Sequence, residues 1–500
     1  MFRRILRLKP FLVALATALL CLLLLVLVDQ GRLPDGPSFL TRDLSPSVRL
    51  GARHPAGILP NSIEETSNAE FNVKASFTGC RDKSTQTRMW LEKDEGSDLK
   101  ALEDEDSESV LSRGIYDWSR QYKLLPFVYA ADSSFWEKPL CMSTQVSFDR
   151  LGDLDELSSY WNGPISVVVY TPDVEFALAR EAISILRLCQ ENIRKKVTFH
   201  LVTDAEHPPV TEMPEEYEPD VASQHTCKDL KETLLSLQKL RPDSMMKWRD
   251  SLAYPQNVLR NFARTTCPGK YVYTPDADML TTSKDAYENI LEFLGKEEQN
   301  NCEKCAYVLP VYEINEKVKA LPTSKPQLLK LIAEKRARIF HATFAPKNSA
   351  SSNLTYWQTL PALPDEKISV AYKVTKYMIG YEPVYIANAS VVPKFDERFK
   401  GYGSTRYTQA FEMQSAGFQF QVLDNVFLCH RGFQTLKSRP KWRAAQQVLN
   451  NQLVLPFAKE VITRYGGKDP YHFVSFAKGV QKISIPYAGG MQHSPGVRSA

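Results

Sequence analysis

The chain has 500 residues, 43% hydrophobic and 24% charged, with a formal net charge of +4 at pH 7. Its first ten residues, MFRRILRLKP, hold four basic side chains and no acid, so the remainder is neutral overall. That balance excludes the concentrated basic face of a nucleic-acid binder, and the length allows one large domain with flanking segments.

Residues 1–10 read as a cytosolic tail. Phe11 to Val28 is a run without a charge, long enough to cross nearly all of a hydrocarbon core at ~1.5 Å per residue. The following VDQGRLPDG offers no A-x-A cleavage site, which predicts an uncleaved signal-anchor and a type II membrane protein. The positive flank then stays in the cytosol, and residues 29–500 face the lumen. All cysteines but Cys21 fall in that lumenal part, as disulfide formation requires. Asn353-Leu-Thr and Asn388-Ala-Ser are glycosylation sequons suited to the same compartment.

Residues 29–135 read as a stem. Gly, Pro and Ser punctuate its first part, and Glu92 to Ser109 carries nine acids against two lysines. Such a stretch repels itself and buries little.

Residues 136–490 read as one α/β domain. Ile165 to Tyr170 is apolar except for Ser166, the composition of a strand buried on both faces. VEFALAREAISILRLCQ follows with helical spacing, then the strand KVTFHLVTD, the helix YPQNVLRNFARTTC and a third strand in KYVYTPDAD. The alternation predicts a mainly parallel sheet, with ligands at the carboxyl ends of its strands.

Asp276 and Asp278 stand at such an end. Residues i and i+2 of an extended segment share a side, so both carboxylates can face one hard cation, Mn²⁺ or Mg²⁺, and leave positions open for a diphosphate. The competing reading is a turn in which one acid bonds locally and the other is solvated. Arg260 and Arg264 share a face of the preceding helix. With Asn261 they are candidates for donor phosphates or a uronate carboxylate, or else for acids at the sheet edge. Cys302 and Cys305 read as a disulfide or free thiols rather than half a zinc site.

The blocks GPISVVVY, YPQNVLRNFAR, the aspartate pair, LPVYEI, YEPVYIA, FDERFKGYG and FLCHRGF occur in this order. Together they resemble glycosyltransferase family 49 over about residues 141–457. Pro275 and Tyr381 stand where the family pattern has an aliphatic residue and a tryptophan. The resemblance implies a GT-A fold, a Golgi location, a UDP-sugar donor (UDP-glucuronic acid first), Mn²⁺ and an inverting transfer to a glycan acceptor such as xylose, in the priming of matriglycan on dystroglycan. It implies His430 as a third metal ligand, where the residues alone favour a structural histidine. An inverting transfer needs one base for the acceptor hydroxyl. Asp396 or Glu397 is the candidate, with Glu412 and Glu313 in reserve and a salt-bridged surface turn as the alternative for DERFK. A non-catalytic lumenal glycan-binding relative of the same fold is the competing function.

Overall fold

A computed structural model describes residues 106–484 except 133–137, 218–226, 250, 268, 363–366 and 436–441. The tail, the span Phe11–Val28 and most of the stem lie outside the described residues, among which no helix is long and apolar enough to cross a membrane.

The described strands form two sheets. In spatial order the larger runs β1 (Ile115–Tyr116), β2 (Tyr122–Tyr129), β5 (Val197–Asp204), β4 (Ile165–Tyr170), β3 (Leu140–Ser147), β6 (Tyr271–Tyr273), β12 (Val384–Asn388), β8 (Cys305–Leu309), β13 (Gln419–Asp424) and β11 (Ser369–Lys373). The smaller runs β10 (Ala337–Ile339), β9 (Val311–Ile314), β14 (Leu428–Arg431) and β7 (Met279–Thr281).

The α/β expectation holds, and the mainly parallel one is corrected. β5, β4, β3 and β6 are parallel, but β12 runs antiparallel to both its neighbours, β6 and β8. β2 and β11 are antiparallel edges on β5 and β13. Hydrophobic runs reveal strands but not their direction, and β12 enters between two strands that precede it by long excursions.

β4 shows why its residues form a central strand. Val167 and Val169 join the core beneath the helix Glu175–Cys189, with Leu178, Ile183 and Leu186. Val168 and Tyr170 face the other way, against Val258, Leu259 and Ala263 of the helix Gln256–Thr265. Both faces are covered, so an alternating pattern would be wrong there.

Residues 107–129, assigned above to the stem, fold with the sheet. Ser107–Ser112 is a helix capped by the Asp106 carboxylate, and β2 pairs with β5. The pairing is interrupted between Leu125 and Tyr129, where Phe127 has φ of 53° and its N–H donates to His200 Nδ1 at 2.8 Å.

Three disulfides join Cys141 to Cys267, Cys189 to Cys227 and Cys302 to Cys305; Cys429 is buried and free. The first ties β3 to the chain just beyond the helix Gln256–Thr265 and closes a loop of 126 residues in sequence separation. Cys302 and Cys305 thus form the disulfide read as one of two options.

Burial pushes the His200 imidazole down to about 3, so the neutral ring accepts from Phe127. A histidine with a folded value below the unfolded one gives up stability as pH falls from about 6.5 toward that folded value, because the unfolded chain takes the proton first. His200→Asn keeps an acceptor without that titration. Between pH 7 and pH 5 the unmodified chain should therefore lose about 2 kcal/mol more stability than the variant. Urea denaturation at the two pH values measures the difference, and parallel losses would contradict the assignment.

Candidate active site

β3 leads on one side to β4 and β5, and the chain returns on its other side as β6. Connections leaving β3 and β6 diverge at this point, and the carboxyl ends of the two strands open a crevice. Residues 276–279 occupy it. β12 is antiparallel to β6, so its beginning lies at the same rim as the end of β6. The crevice widens into a cleft of about 1170 Å³ whose lining includes Asp276, Asp278, His341, Glu382, Arg406 and His430.

The two aspartates part company. Asp276 Oδ1 accepts from Arg260 at 3.0 Å and from Arg406 at 2.6 Å. Both guanidinium groups are nearly buried, and Arg406 also donates to the Thr274 carbonyl at 3.1 Å. Burial alone would raise the Asp276 carboxyl, but Arg406 and Arg260 outweigh it by charge and hydrogen bond and hold it well below the usual carboxylate range. Asp276 is therefore an anion at every physiological pH, and one of its oxygens is committed to two cations.

Asp278 is 40% exposed, and its Oδ2 lies 3.6 Å from His430 Nε2 and 3.3 Å from Arg150. The neighbouring Met279 is the register partner of His430 across β7 and β14, so the ladder itself brings carboxylate and imidazole together. Burial works against charge on His430, but the Asp278 hydrogen bond and charge prevail and raise its pKa. Among the described residues no group of three or more His, Cys, Asp and Glu side chains forms a ready metal cage. The pair nevertheless fits a divalent ion: one oxygen and one nitrogen stand near the roughly 3 Å that separates adjacent ligands of an octahedral cation. A cation held so keeps most of its positions for ligand oxygens.

The other predicted residues lie elsewhere. Arg264 donates to the carbonyls of Pro393 and Val392 at 2.9 and 3.0 Å. Asn261 bonds Phe395 through both backbone groups and donates to Glu397 at 2.8 Å. Asp396 is doubly bonded by Arg398, which also grips Glu460 of the helix Trp442–Arg464. None of Asn261, Arg264, Asp396 and Glu397 lines the cleft. They hold segment 392–398 onto the domain, which is the salt-bridged alternative for DERFK. Glu313 is fully buried and binds Arg338 at 2.6 Å and the His341 amide at 3.0 Å, while Glu412 pairs with Arg464. Of the sequons, Asn353 is an exposed helix N-cap and Asn388 a half-buried strand end.

Three cleft residues escaped the sequence reading. Arg406 lies three residues beyond Gly403 and carried no signal except proximity to the GYG turn. Arg150 bridges Asp153 at 2.6 Å and Asp278. Glu382 lies in the quoted YEPVYIA block and would have been found by asking why an acid begins a buried strand. On the floor behind them, Glu175 is wholly buried between Arg241 and Arg249, both at the cleft wall.

A family model described as a glycosyl-transferase for dystroglycan matches residues 139–466. Beta-1,4-glucuronyltransferase 1 of Danio rerio is 31% identical over 348 residues, covering 65% of this chain and 75% of that protein. Xylosyl- and glucuronyltransferase LARGE2 of Rattus norvegicus is 25% identical over 334 residues, covering 64% of this chain but 39% of the relative. Among solved structures, S. aureus TarS 1-349 aligns over 71% of this chain and 93% of its own, at 10% identity and a TM-score of 0.31. That likeness is too loose to argue from. The family match spans most of the folded domain and includes the aspartates, most of the cleft and the histidine strand, and this chain belongs to glycosyltransferase family 49.

Proposed function

We propose that the chain is a metal-dependent, inverting GT-A transferase of the Golgi lumen, anchored as a type II membrane protein by Phe11–Val28. It moves glucuronic acid from UDP-glucuronic acid to a hydroxyl of a glycan acceptor, xylose first among the candidates. The observation that carries this reading is the Asp278–His430 pair at the topological switch point, beside an aspartate already neutralised by arginines. The relatives' names, glucuronyltransferase and xylosyl- and glucuronyltransferase, support the donor.

Asp278 and His430 are the residues that would hold Mn²⁺ or Mg²⁺. A divalent cation bound there supplies positive charge to the diphosphate as it leaves the sugar. Arg150, half exposed and within reach of Asp278, offers a second cation to the same phosphates. Asp276 takes a different part from the one its spacing implied. It fixes Arg260 and Arg406 at the crevice floor and sets the loop on which Asp278 stands.

The two aspartates should therefore fail differently. Asp278→Asn and His430→Ala are each expected to weaken UDP binding in the presence of Mn²⁺ by tenfold or more, while thermal unfolding moves little because both side chains are partly exposed. Calorimetric titration with UDP, with and without Mn²⁺, reads this; unchanged affinity in both variants would remove the metal pair from the reading.

Asp276→Asn leaves two buried guanidinium groups facing a neutral amide. It should cost about 3 kcal/mol of stability, read as a lowered denaturation midpoint. A variant as stable as the parent would mean that the arginines have other anions.

UDP release from a panel of UDP-sugars tests the donor. Mn²⁺-dependent release is expected to be greatest with UDP-glucuronic acid, and another preferred sugar would redirect the assignment. Tight glycan binding with no turnover of any donor would favour the non-catalytic relative.

A further inference from the structure

The transfer proposed above needs a group to take the proton of the attacking hydroxyl, and the residues predicted for it, Asp396 and Glu397, are absent from the cleft lining. The cleft itself holds five acids: Asp149, Asp153, Asp276, Asp278 and Glu382. Asp276 is bound by two guanidinium groups, and Asp278 and Asp153 share Arg150. Asp149 is 43% exposed near Arg241. Glu382 differs from all four, because no arginine or lysine bonds to its carboxylate among the ion pairs of the described residues.

Its position is built rather than incidental. Glu382 precedes Pro383 and β12, at the rim that also carries the aspartate loop. Its N–H donates to the Asn348 carbonyl at 2.9 Å, and the Asn348 side-chain amide donates back to Oε2 at 2.7 Å. The same amide lies 3.3 Å from His341 Nδ1. Burial, more than any charge, pushes His341 down to about 4, so its ring is neutral and can accept from Asn348. His341 has φ of 59°, a left-handed conformation unusual for its type, and its own amide is held by Glu313 at 3.0 Å. One carboxylate is thus oriented by an amide that is itself oriented by a half-buried imidazole.

We infer that Glu382 is the general base of the transfer, with Asn348 as its positioning residue, an assignment that rests on the transferase reading above. The acceptor hydroxyl gives its proton to a Glu382 carboxylate oxygen while its own oxygen forms the new bond to the anomeric carbon. The bond from that carbon to the phosphate oxygen breaks on the opposite side, and UDP leaves with the electron pair. Glu382 then releases the proton to water, so no oxidant or further reactant is required.

The electrostatics agree with this role. Burial raises the Glu382 carboxyl to about 7, with Arg406, Arg260 and the Tyr407 amide pulling it down and Asp276 pushing it up. A base serves best near the working pH. Because the acid form prevails below that value, kcat/KM should fall as pH drops through 7.

The test uses UDP-glucuronic acid and p-nitrophenyl β-xyloside as substrates, with calorimetric binding of UDP and Mn²⁺ in parallel. Glu382→Gln should lower kcat about 10³-fold and keep the UDP dissociation constant within threefold. Glu382→Asp should retain part of the rate with a displaced acidic limb, and Asn348→Ala should shift that limb without abolishing turnover. A Gln variant within tenfold of the parent kcat and with the same pH profile would overturn the inference. So would loss of rate matched by loss of UDP binding, which marks a purely structural acid. Failure of the unmodified chain to bind UDP with Mn²⁺ would instead bring down the transferase reading, and this inference with it.

Discussion

The active-site region depends on one buried charge cluster, Asp276 between Arg260 and Arg406. It ties the helix Gln256–Thr265 and the end of β6, which follow each other closely in sequence, to the turn before the helix Tyr407–Ser415, far along the chain. Removing three charges from water is costly, and such a cluster is weak evidence for stability as such. What it secures is placement. Remove the carboxylate and two guanidinium groups face each other at the floor of the cleft; remove either arginine and the loop carrying Asp278 loses a tether.

From that point the cleft divides by chemistry. One wall, formed by Asp278, His430 and Arg150, mixes an anion, an imidazole and a cation, a set suited to a metal and the phosphates it accompanies. Glu382, Asn348 and His341 form a half-buried, hydrogen-bonded stretch of the rim, where burial raises the Glu382 carboxyl and lowers the His341 imidazole. Burial raises the Glu382 carboxyl with no cation bonded to it, since the two nearby arginines are bonded to Asp276. The same cluster that fixes the floor thus leaves the rim acid unpaired.

Much of this was legible in the sequence. β4 was read to the residue, because a strand covered on both sides leaves an unbroken apolar run. The aspartate pair was found because chemistry at strand ends needs few residues. Asp396 and Glu397 stand outside the cleft lining for a physical reason: adjacent acids attract attention, but Arg398, two positions from Asp396, is already its partner. Glu382 became conspicuous only in three dimensions, since its environment comes from residues 341 and 348, from Arg260 and from Arg406. β2 was hidden behind an acidic run and broken by Phe127, whose irregular backbone is supported by a histidine from the neighbouring strand.

The small sheet sets the register of the Asp278–His430 pair. His430 pairs with Met279 in register, Cys429 turns inward to full burial, and β9 holds the other flank of β14. Strand alternation allows no intermediate setting: a slip of one residue would present the thiol to the cleft and bury the imidazole. Loops leading into β7 and β14 can therefore lengthen over evolutionary time at little cost, whereas an insertion or deletion inside either strand would exchange a nitrogen donor for a sulfur at the cleft and, on the proposed reading, alter which cations could bind there.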